Sequence, residues 1–476
     1  MSNLSEILDN IKISDITCDS KKVKPEGMFI AVKGTKLDGY EFIGEAIQRG
    51  ASCIVAERDF HCPKHITKII VKDSKEALVE IAKSFYADPS SNLKVIGITG
   101  TNGKTTTAYL IEKMLTSAGY GTGVIGTISY RFGNRAIPAT NTTPGVLDLQ
   151  FMLHEMVQER LQYVVLEVSS HSLDQDRVAG INFECAVFTN LTHEHLDYHK
   201  DLEDYFLAKS KLFGMLAGDK FAVVNKDDPF GVRLINSRKG KILSYGLDAG
   251  ADISCRILEL NKNGLKFILN SCGRTAEVNS KLIGRHNIYN ILAAAGAAAA
   301  CNVDFTKVIK GIESAEPPPG RLQRVETGKP FEIFVDYAHS DDALKNVITA
   351  LRELNPERII VLFGCGGDRD KLKRPKMGKI TTELADYVIL TSDNPRTEDP
   401  GAIIQDIEKG ITKSNYIKIT DRRDAIFKLL GLAKPGDMLL LAGKGHETYQ
   451  IFKDTTVSFY DVQVVKEALE KTDFTA

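Results

Sequence analysis

The run Val95-Ile96-Gly97-Ile98-Thr99-Gly100-Thr101-Asn102-Gly103-Lys104-Thr105-Thr106 constrains this chain more than any other stretch. An apolar strand enters a Gly-rich turn, then Lys-Thr-Thr, then a helical stretch over 108–115. That order is the layout of a nucleotide phosphate loop. Backbone N–H groups face an anion at a helix N-terminus, Lys104 reaches the β- and γ-phosphates, and Thr105 can ligate Mg²⁺. Ile98 stands where the first Gly of GxxxxGK[ST] belongs, and the glycines fall at Gly97, Gly100 and Gly103 instead. An ordinary Gly-rich turn is the plainer alternative. It does not call for strand, glycines, Lys and helix in this order, so ATP use is the expectation.

A chain of 476 residues exceeds what one core supports, so several domains are expected. Hydrophobic content of 43% and charged content of 26% describe a soluble globular protein. A net charge of -1 gives no bulk attraction for nucleic acid or anionic lipid. The start, MSNLSEILDNIKIS, lacks the basic and apolar regions of a signal peptide, and the apolar run over 291–300 is too short to span a bilayer. Eight cysteines without a CxxC pair suit reduced cytosolic thiols. The expectation is a cytoplasmic protein with small-molecule substrates, no nucleic-acid partner and no membrane insertion, acting as a monomer.

Three segments are expected. Residues 1–87 alternate short strands with helical stretches, and Asp88-Pro89-Ser90-Ser91-Asn92 reads as a linker. Residues 88–316 open on the phosphate-loop strand and continue through buried-looking strands at 163–168, 186–189 and 221–225. An antiparallel excursion over 253–278 and an Ala-rich helix over 287–301 follow. Glu316-Pro317-Pro318-Pro319-Gly320 interrupts helix and sheet alike. Residues 317–476 alternate strands (359–363, 387–390, 438–442) with helices, which implies a mostly parallel sheet. Ligands bind such sheets beyond the strands' carboxyl ends, where the polar motifs fall.

Glu167-Val168-Ser169-Ser170-His171 follows an apolar strand, so Glu167 lies at a strand end. A carboxylate there suits Mg²⁺, a hard cation preferring oxygen; a capping carboxylate is the alternative. Residues 189–199, TNLTHEHLDYH, pack three His and two acids into one loop. That composition suits a metal or phosphate site, although HExxH spacing and nearby Cys are lacking.

These motifs, with GRHNIYN at 284–290, GRLQRV at 320–325 and DYAHS at 336–340, resemble in order those of the Mur ligases, ATP-dependent amino-acid ligases of peptidoglycan precursor synthesis. Folylpolyglutamate synthases share the phosphate loop but lack the N-terminal unit. The resemblance implies an α/β fold of three domains: a UDP-sugar-binding domain (1–87), a central P-loop ATPase-like parallel-sheet domain (88–316) and a C-terminal Rossmann-like amino-acid-binding domain (317–476). FGCGGDRD at 363–370, DNPR at 393–396 and GKGHE at 443–447 resemble the members that add meso-diaminopimelate. The chemical reason stands independently. Diaminopimelate carries a carboxylate and an amine at its far end, where lysine has only an amine. An Arg fork can bind that carboxylate through two charge-assisted hydrogen bonds, and Glu447 can hold the ammonium.

Carried over residue by residue, the resemblance assigns ATP to Gly100, Thr101, Asn102, Gly103, Lys104, Thr105, Thr106, Asn287, Asn290, Arg321 and Asp336. UDP-N-acetylmuramoyl-L-alanyl-D-glutamate falls to Ser20, Thr35, Lys36, Asn141, Thr142, Thr143, Ser169, Gln175 and Arg177. Diaminopimelate falls to Arg369, Asp393, Asn394, Pro395, Arg396, Gly443 and Glu447. Thr105, Glu167, His195 and a carbamylated Lys209 would serve Mg²⁺, and Lys104, Lys209 and His195 would be catalytic. Ser340-Asp341 replaces the more usual Thr-Pro after DYAH. Domain closure is expected, because the ATP loop and the amino-acid motifs lie on different segments. Lysine- or ornithine-adding relatives, other amide ligases and a nucleotide-driven switch protein remain alternatives. Arg396 argues against the first, and a switch would not need the Arg369, Arg396 and Glu447 set.

Overall fold

The computed structural model describes residues 11–34, 37–192, 194 and 198–471. It divides into two compact units. One comprises residues 1–97, 120–186 and 211–220, the other 98–119, 187–210 and 221–476.

In the first unit a parallel sheet runs Ile16–Thr17, Met28–Ile30, Cys53–Ala56, Thr67–Ile70. The inner strands Met28–Ile30 and Cys53–Ala56 are buried on both faces, which explains their unbroken apolar runs. Asp73 caps the helix Ser74–Phe85 by accepting from the N–H groups of Lys75 and Glu76. The stretch expected as a linker is packed down. Pro89–Ser91 forms a 3-10 turn with Pro89 and Ser90 buried, and Ser90 Oγ accepts from Asn182 N at 3.2 Å. Also in this unit, Thr122–Ile125 pairs parallel with Tyr163–Glu167 and antiparallel with Ser129–Phe132.

In the second unit, Phe221–Asn225 and Lys241–Tyr245 pair in parallel, and Ile253–Asn261, Gly264–Ser271 and Arg274–Ser280 form the expected antiparallel excursion. The phosphate-loop helix Lys104–Ser117 packs against the Ala-rich helix Arg285–Ala300 and the helix Phe305–Ser314. The approach is close. A Cβ at Gly311 would lie 2.6 Å from Met114 Cα, and one at Gly296 would lie 2.6 Å from Val223 Cγ1.

A six-stranded sheet follows in the order Gln323–Val325, Glu332–Asp336, Met438–Ala442, Ile359–Phe363, Tyr387–Leu390, Tyr416–Lys418, parallel except at its first edge strand. Its central strands are wholly buried between two apolar layers, one holding Leu344, Val361 and Leu440, the other Ile360, Ile426 and Leu439. The loops after Ile359–Phe363, Tyr387–Leu390 and Met438–Ala442 therefore emerge at the carboxyl edge. All eight cysteines are free, and no helix among the described residues is long and apolar enough to cross a membrane.

Candidate active site

The phosphate loop is shaped by two glycines with no room for a side chain. Gly100 has φ +145°, and a Cβ there would sit 1.9 Å from Thr189 Oγ1. Gly103 has φ +87°, and a Cβ would sit 2.2 Å from Asn290 Oδ1. The flanking residues are tied to the loop over 189–192. Thr101 N donates to Asn190 O at 2.9 Å, Asn102 N to Asn190 Oδ1 at 2.9 Å, and Thr189 Oγ1 to Asn102 O at 2.7 Å. Thr105 and Thr106 are buried at the start of the helix.

Two lysines converge on one carbonyl. Lys104 Nζ donates to Gly100 O at 2.9 Å and Thr101 O at 2.8 Å, and Lys209 Nζ donates to Gly100 O at 2.8 Å. Lys209 is 1% exposed and lies 4.4 Å from the centre of the Tyr205 ring. Burial, reinforced by the Lys104 charge, holds its amine well below the ordinary lysine range. A buried neutral amine is the form that adds CO₂.

The expected ATP residues from distant segments reach the same loop. Arg321 Nη2 donates to Thr105 Oγ1 at 3.3 Å, and its guanidinium lies 4.9 Å from the Tyr337 ring centre. Asn290 borders Gly103 and donates to Asn287 Oδ1 at 2.8 Å. Asp336 accepts from the N–H groups of Leu322 at 2.6 Å and Ala338 at 2.8 Å, so it orders the Arg321 turn; burial raises its pKa. Asp342 is a residue the sequence reading missed. Its Oδ2 accepts from Asn102 Nδ2 at 3.1 Å and Thr192 Oγ1 at 2.9 Å.

Of the histidine loop, His193 and His195 lie outside the described residues, as do Thr35 and Lys36. His199 is a packed residue, 3% exposed, with Nδ1 3.3 Å from Asp204 Oδ2 and its ring against Tyr205. Glu194 Oε1 lies 3.9 Å from His339 Nε2.

The first unit holds the residues expected to bind the muramoyl peptide. Thr143 Oγ1 donates to Glu167 O at 2.8 Å and accepts from Ser169 N at 3.1 Å. Arg177 donates to Thr143 O at 3.1 Å and twice to Gln175 Oε1. Thr142 and Thr127 share a hydroxyl contact at 3.2 Å, and Tyr130 OH donates to Asn141 O at 2.6 Å. Glu167 is 1% exposed and accepts from Thr127 N and Oγ1, an arrangement that fixes its carboxylate. Ser20 donates its hydroxyl to Glu45 Oε2 at 2.6 Å.

Taken one by one, the donors suit a hard cation such as Mg²⁺: Thr105 carries a hydroxyl oxygen, Glu167 carries a carboxylate, and Lys209 would carry carbamate oxygens once it had taken up CO₂. The described residues contain no group of three or more His, Cys, Asp or Glu able to hold a metal by themselves.

At the carboxyl edge of the six-stranded sheet three loops interlock. Gly367 N donates to Asn394 O at 2.9 Å, and a Cβ at Gly367 would lie 1.8 Å from Pro395 O. Arg396, at φ +54°, donates from Nη1 to Gly367 O at 2.8 Å. A Cβ at Gly366 would meet Arg396 Nη1 at 2.9 Å and Arg369 Cγ at 3.7 Å, so both arginine side chains approach one glycine. Glu447 Oε2 accepts from Asn394 Nδ2 at 2.8 Å and from the fully buried Lys444 at 3.0 Å. Asn394 Oδ1 in turn accepts from Lys444 and Ile451 N. Asp393 O accepts from Gln450 Nε2, and Gly443, at φ +107°, has no room for a Cβ beside Asp393. Behind this edge Arg422 and Asp461 form a fully buried pair, and Arg422 Nη2 also donates to Ala442 O at 3.2 Å.

A phosphate loop on one part of the chain and a basic, carboxylate-lined edge on a separate sheet define a multidomain nucleotide-dependent α/β enzyme. Three family models match: "Mur ligase family, catalytic domain" over residues 12–89, "Mur ligase middle domain" over 98–298 and "Mur ligase, glutamate ligase domain" over 320–445. The chain is 44% identical over 466 residues to the UDP-N-acetylmuramoyl-L-alanyl-D-glutamate–2,6-diaminopimelate ligase of Caldanaerobacter subterraneus subsp. tengcongensis, covering 98% of this chain and 96% of that one. It is 44% identical over 485 residues to the same-named protein of Solibacter usitatus, covering 98% of each. A solved structure of a ligase of that name superposes with TM-score 0.70 at 32% identity over 99% of both chains. MurF of Thermotoga maritima in complex with ADP shares the fold, with TM-score 0.67 at 21% identity over 99% of both chains. The chain belongs to the Mur ligase family.

Proposed function

We propose that this chain is an ATP-dependent ligase that joins meso-diaminopimelate to the D-glutamate γ-carboxylate of UDP-N-acetylmuramoyl-L-alanyl-D-glutamate, a step of peptidoglycan precursor synthesis. The observation that carries the choice of amino acid is the approach of Arg369 and Arg396 to Gly366, with Asn394 bonded to Glu447 and Lys444 of the neighbouring loop. Two guanidinium forks suit an amino acid with two carboxylates, and Glu447 suits an ammonium. Near-full-length identity of 44% to ligases named for this reaction supports the same reading.

The substrate's γ-carboxylate attacks the γ-phosphorus of ATP, giving an acyl phosphate and ADP. A diaminopimelate amine then attacks the acyl carbon, and phosphate leaves through a tetrahedral intermediate. Two anions meet in the first step, so charge compensation and alignment dominate the barrier. Lys104 leaves its loop carbonyls for the phosphates, and the N–H groups at 103–106 cradle them. Thr105 would hold Mg²⁺ with its hydroxyl oxygen, and the Glu167 carboxylate is suited to the same cation, which would neutralise phosphate charge. Burial and the Lys104 charge hold the Lys209 pKa low, which favours uptake of CO₂ by its amine with release of one proton, and the carbamate would be a further oxygen donor. Asn141, Thr142, Thr143, Ser169, Gln175 and Arg177 hold the muramoyl peptide, and Ser20 holds the uridine diphosphate end. Asn287 and Asn290 back the nucleotide, with Arg321 at the phosphate side and Asp336 ordering its turn.

The test is ADP release with the UDP-muramoyl dipeptide plus meso-diaminopimelate, lysine, or no amino acid. Turnover that requires diaminopimelate is expected. Equal turnover with lysine overturns the amino-acid assignment, and full-rate release without an acceptor overturns the ligase itself.

A further inference from the structure

The two arginine loops rest on an ion pair that no motif marks. Arg374, 0% exposed, donates from Nη1 to Glu398 Oε2 at 2.9 Å and Asp406 Oδ2 at 3.0 Å. From Nη2 it donates to Glu398 Oε1 at 2.9 Å and to Gly366 O at 3.2 Å. Gly366 is the residue that both arginine side chains approach. Glu398 reaches back in the other direction, accepting from Asp368 N at 2.7 Å and pairing with Lys371 at 3.1 Å. Its own N–H donates to Pro395 O at 3.1 Å. Thr397 completes the stitch, donating from N and Oγ1 to the Asp368 carboxylate. One carboxylate thus bonds to the Arg369 loop at Asp368 while belonging to the Arg396 loop, and one buried guanidinium holds both loops to the helix beneath.

We propose that Glu398, held by Arg374, is a positioning residue that sets the spacing of Arg369 and Arg396 and thereby the preference for an amino acid with two carboxylates. This rests on the diaminopimelate reading above. The separation of two forks must match the separation of the substrate's carboxylates, and a misplacement of about 1 Å can cost on the order of a hundredfold. Arg369 itself is exposed, with one long contact to Asp368 O at 3.4 Å, so its placement depends on the backbone that Glu398 grips.

The experiment compares wild type, Glu398→Gln and Glu398→Asp in steady-state ligation, varying diaminopimelate, lysine, ATP and the UDP-muramoyl dipeptide in turn. Glu398→Gln is expected to raise KM for diaminopimelate by roughly tenfold or more and to shrink the preference over lysine. KM for ATP and for the dipeptide should stay within about twofold. Glu398→Asp keeps the charge and withdraws it by one methylene, so it reads the same quantity in a protein that retains the ion pair; a rise of roughly threefold or more is expected. Unchanged KM for diaminopimelate in Glu398→Asp, or equal rises for all three substrates, overturns the proposal. A wild type that does not prefer diaminopimelate instead overturns the reading beneath it.

Discussion

Replacing Lys209 with methionine separates what a buried lysine does for the fold from what it does for the reaction. Its side chain is 1% exposed and donates one hydrogen bond, to Gly100 O at 2.8 Å. Methionine preserves the stem and its packing. The substitution forfeits that bond, about 1 kcal/mol, and relieves the burial of a polar head group, a gain of about 1–3 kcal/mol. The opposed contributions leave stability within about 2 kcal/mol of wild type, a shift of a few degrees in Tm for a protein of this size. The pH dependence is distinctive. The native pKa is depressed well below 10.5, so between the two values the unfolded chain binds a proton that the native chain does not. Stability in CO₂-free buffer therefore rises with pH across that window, and the variant lacks this component. Ligation should fall by about 10²–10³, the scale of losing one preorganised charge at a phosphoryl site. Calorimetry at about pH 7 and about pH 9.5, beside an ADP-release assay, reads all of these. A loss of more than about 3 kcal/mol at neutral pH, or retained turnover, refutes the reasoning.

Gly103→Ala combines φ +87° with a Cβ placed 2.2 Å from Asn290 Oδ1, so a loss of about 2–4 kcal/mol in thermal unfolding and a raised KM for ATP are expected. Arg422→Met strands the 0% exposed Asp461 and should cost about 3–5 kcal/mol; adding Asp461→Asn should restore most of it in denaturant titration. Arg374 holds the Glu398 pKa down at about 2 from 4.5, so its contribution is complete above 4.5 and is lost as pH falls toward 2; acid-unfolding curves of Glu398→Gln should lack that component. Arg396→Lys removes the fork that donates to Gly367 O, and kcat/KM for diaminopimelate should drop by about 10²-fold.

The buried strands Ile359–Phe363, Tyr387–Leu390 and Met438–Ala442 were legible because each is an unbroken apolar run, the pattern of a parallel strand covered on both faces. The phosphate loop was legible because its chemistry is local: glycines, lysine and helix start adjoin in sequence. Arg374 was not. It sits in Arg369-Asp370-Lys371-Leu372-Lys373-Arg374-Pro375-Lys376, which reads as a solvated basic stretch, and its partners lie 24 and 32 positions away. Asp342 was hidden likewise, since its bond to Asn102 spans 240 positions. Pro89 and Ser90 carry turn chemistry that suggests a linker, yet Asn182 fastens them down. Local composition reports the turn; only the partner reports whether it is anchored.

The helix behind the phosphate loop is gripped almost backbone to backbone, by Gly311 against Met114 on one side and an alanine-lined neighbour on another. Long side chains act as springs, taking up small displacements by changing rotamer, and where Gly311 crosses the helix it meets the Met114 backbone directly. Such a joint is mechanically stiff. The loop therefore starts from a firm support, held by packing that leaves the helix little room to shift at the Gly311 crossing. Amides in the middle of Lys104–Ser117 should accordingly be among the slowest in the protein to exchange with deuterium.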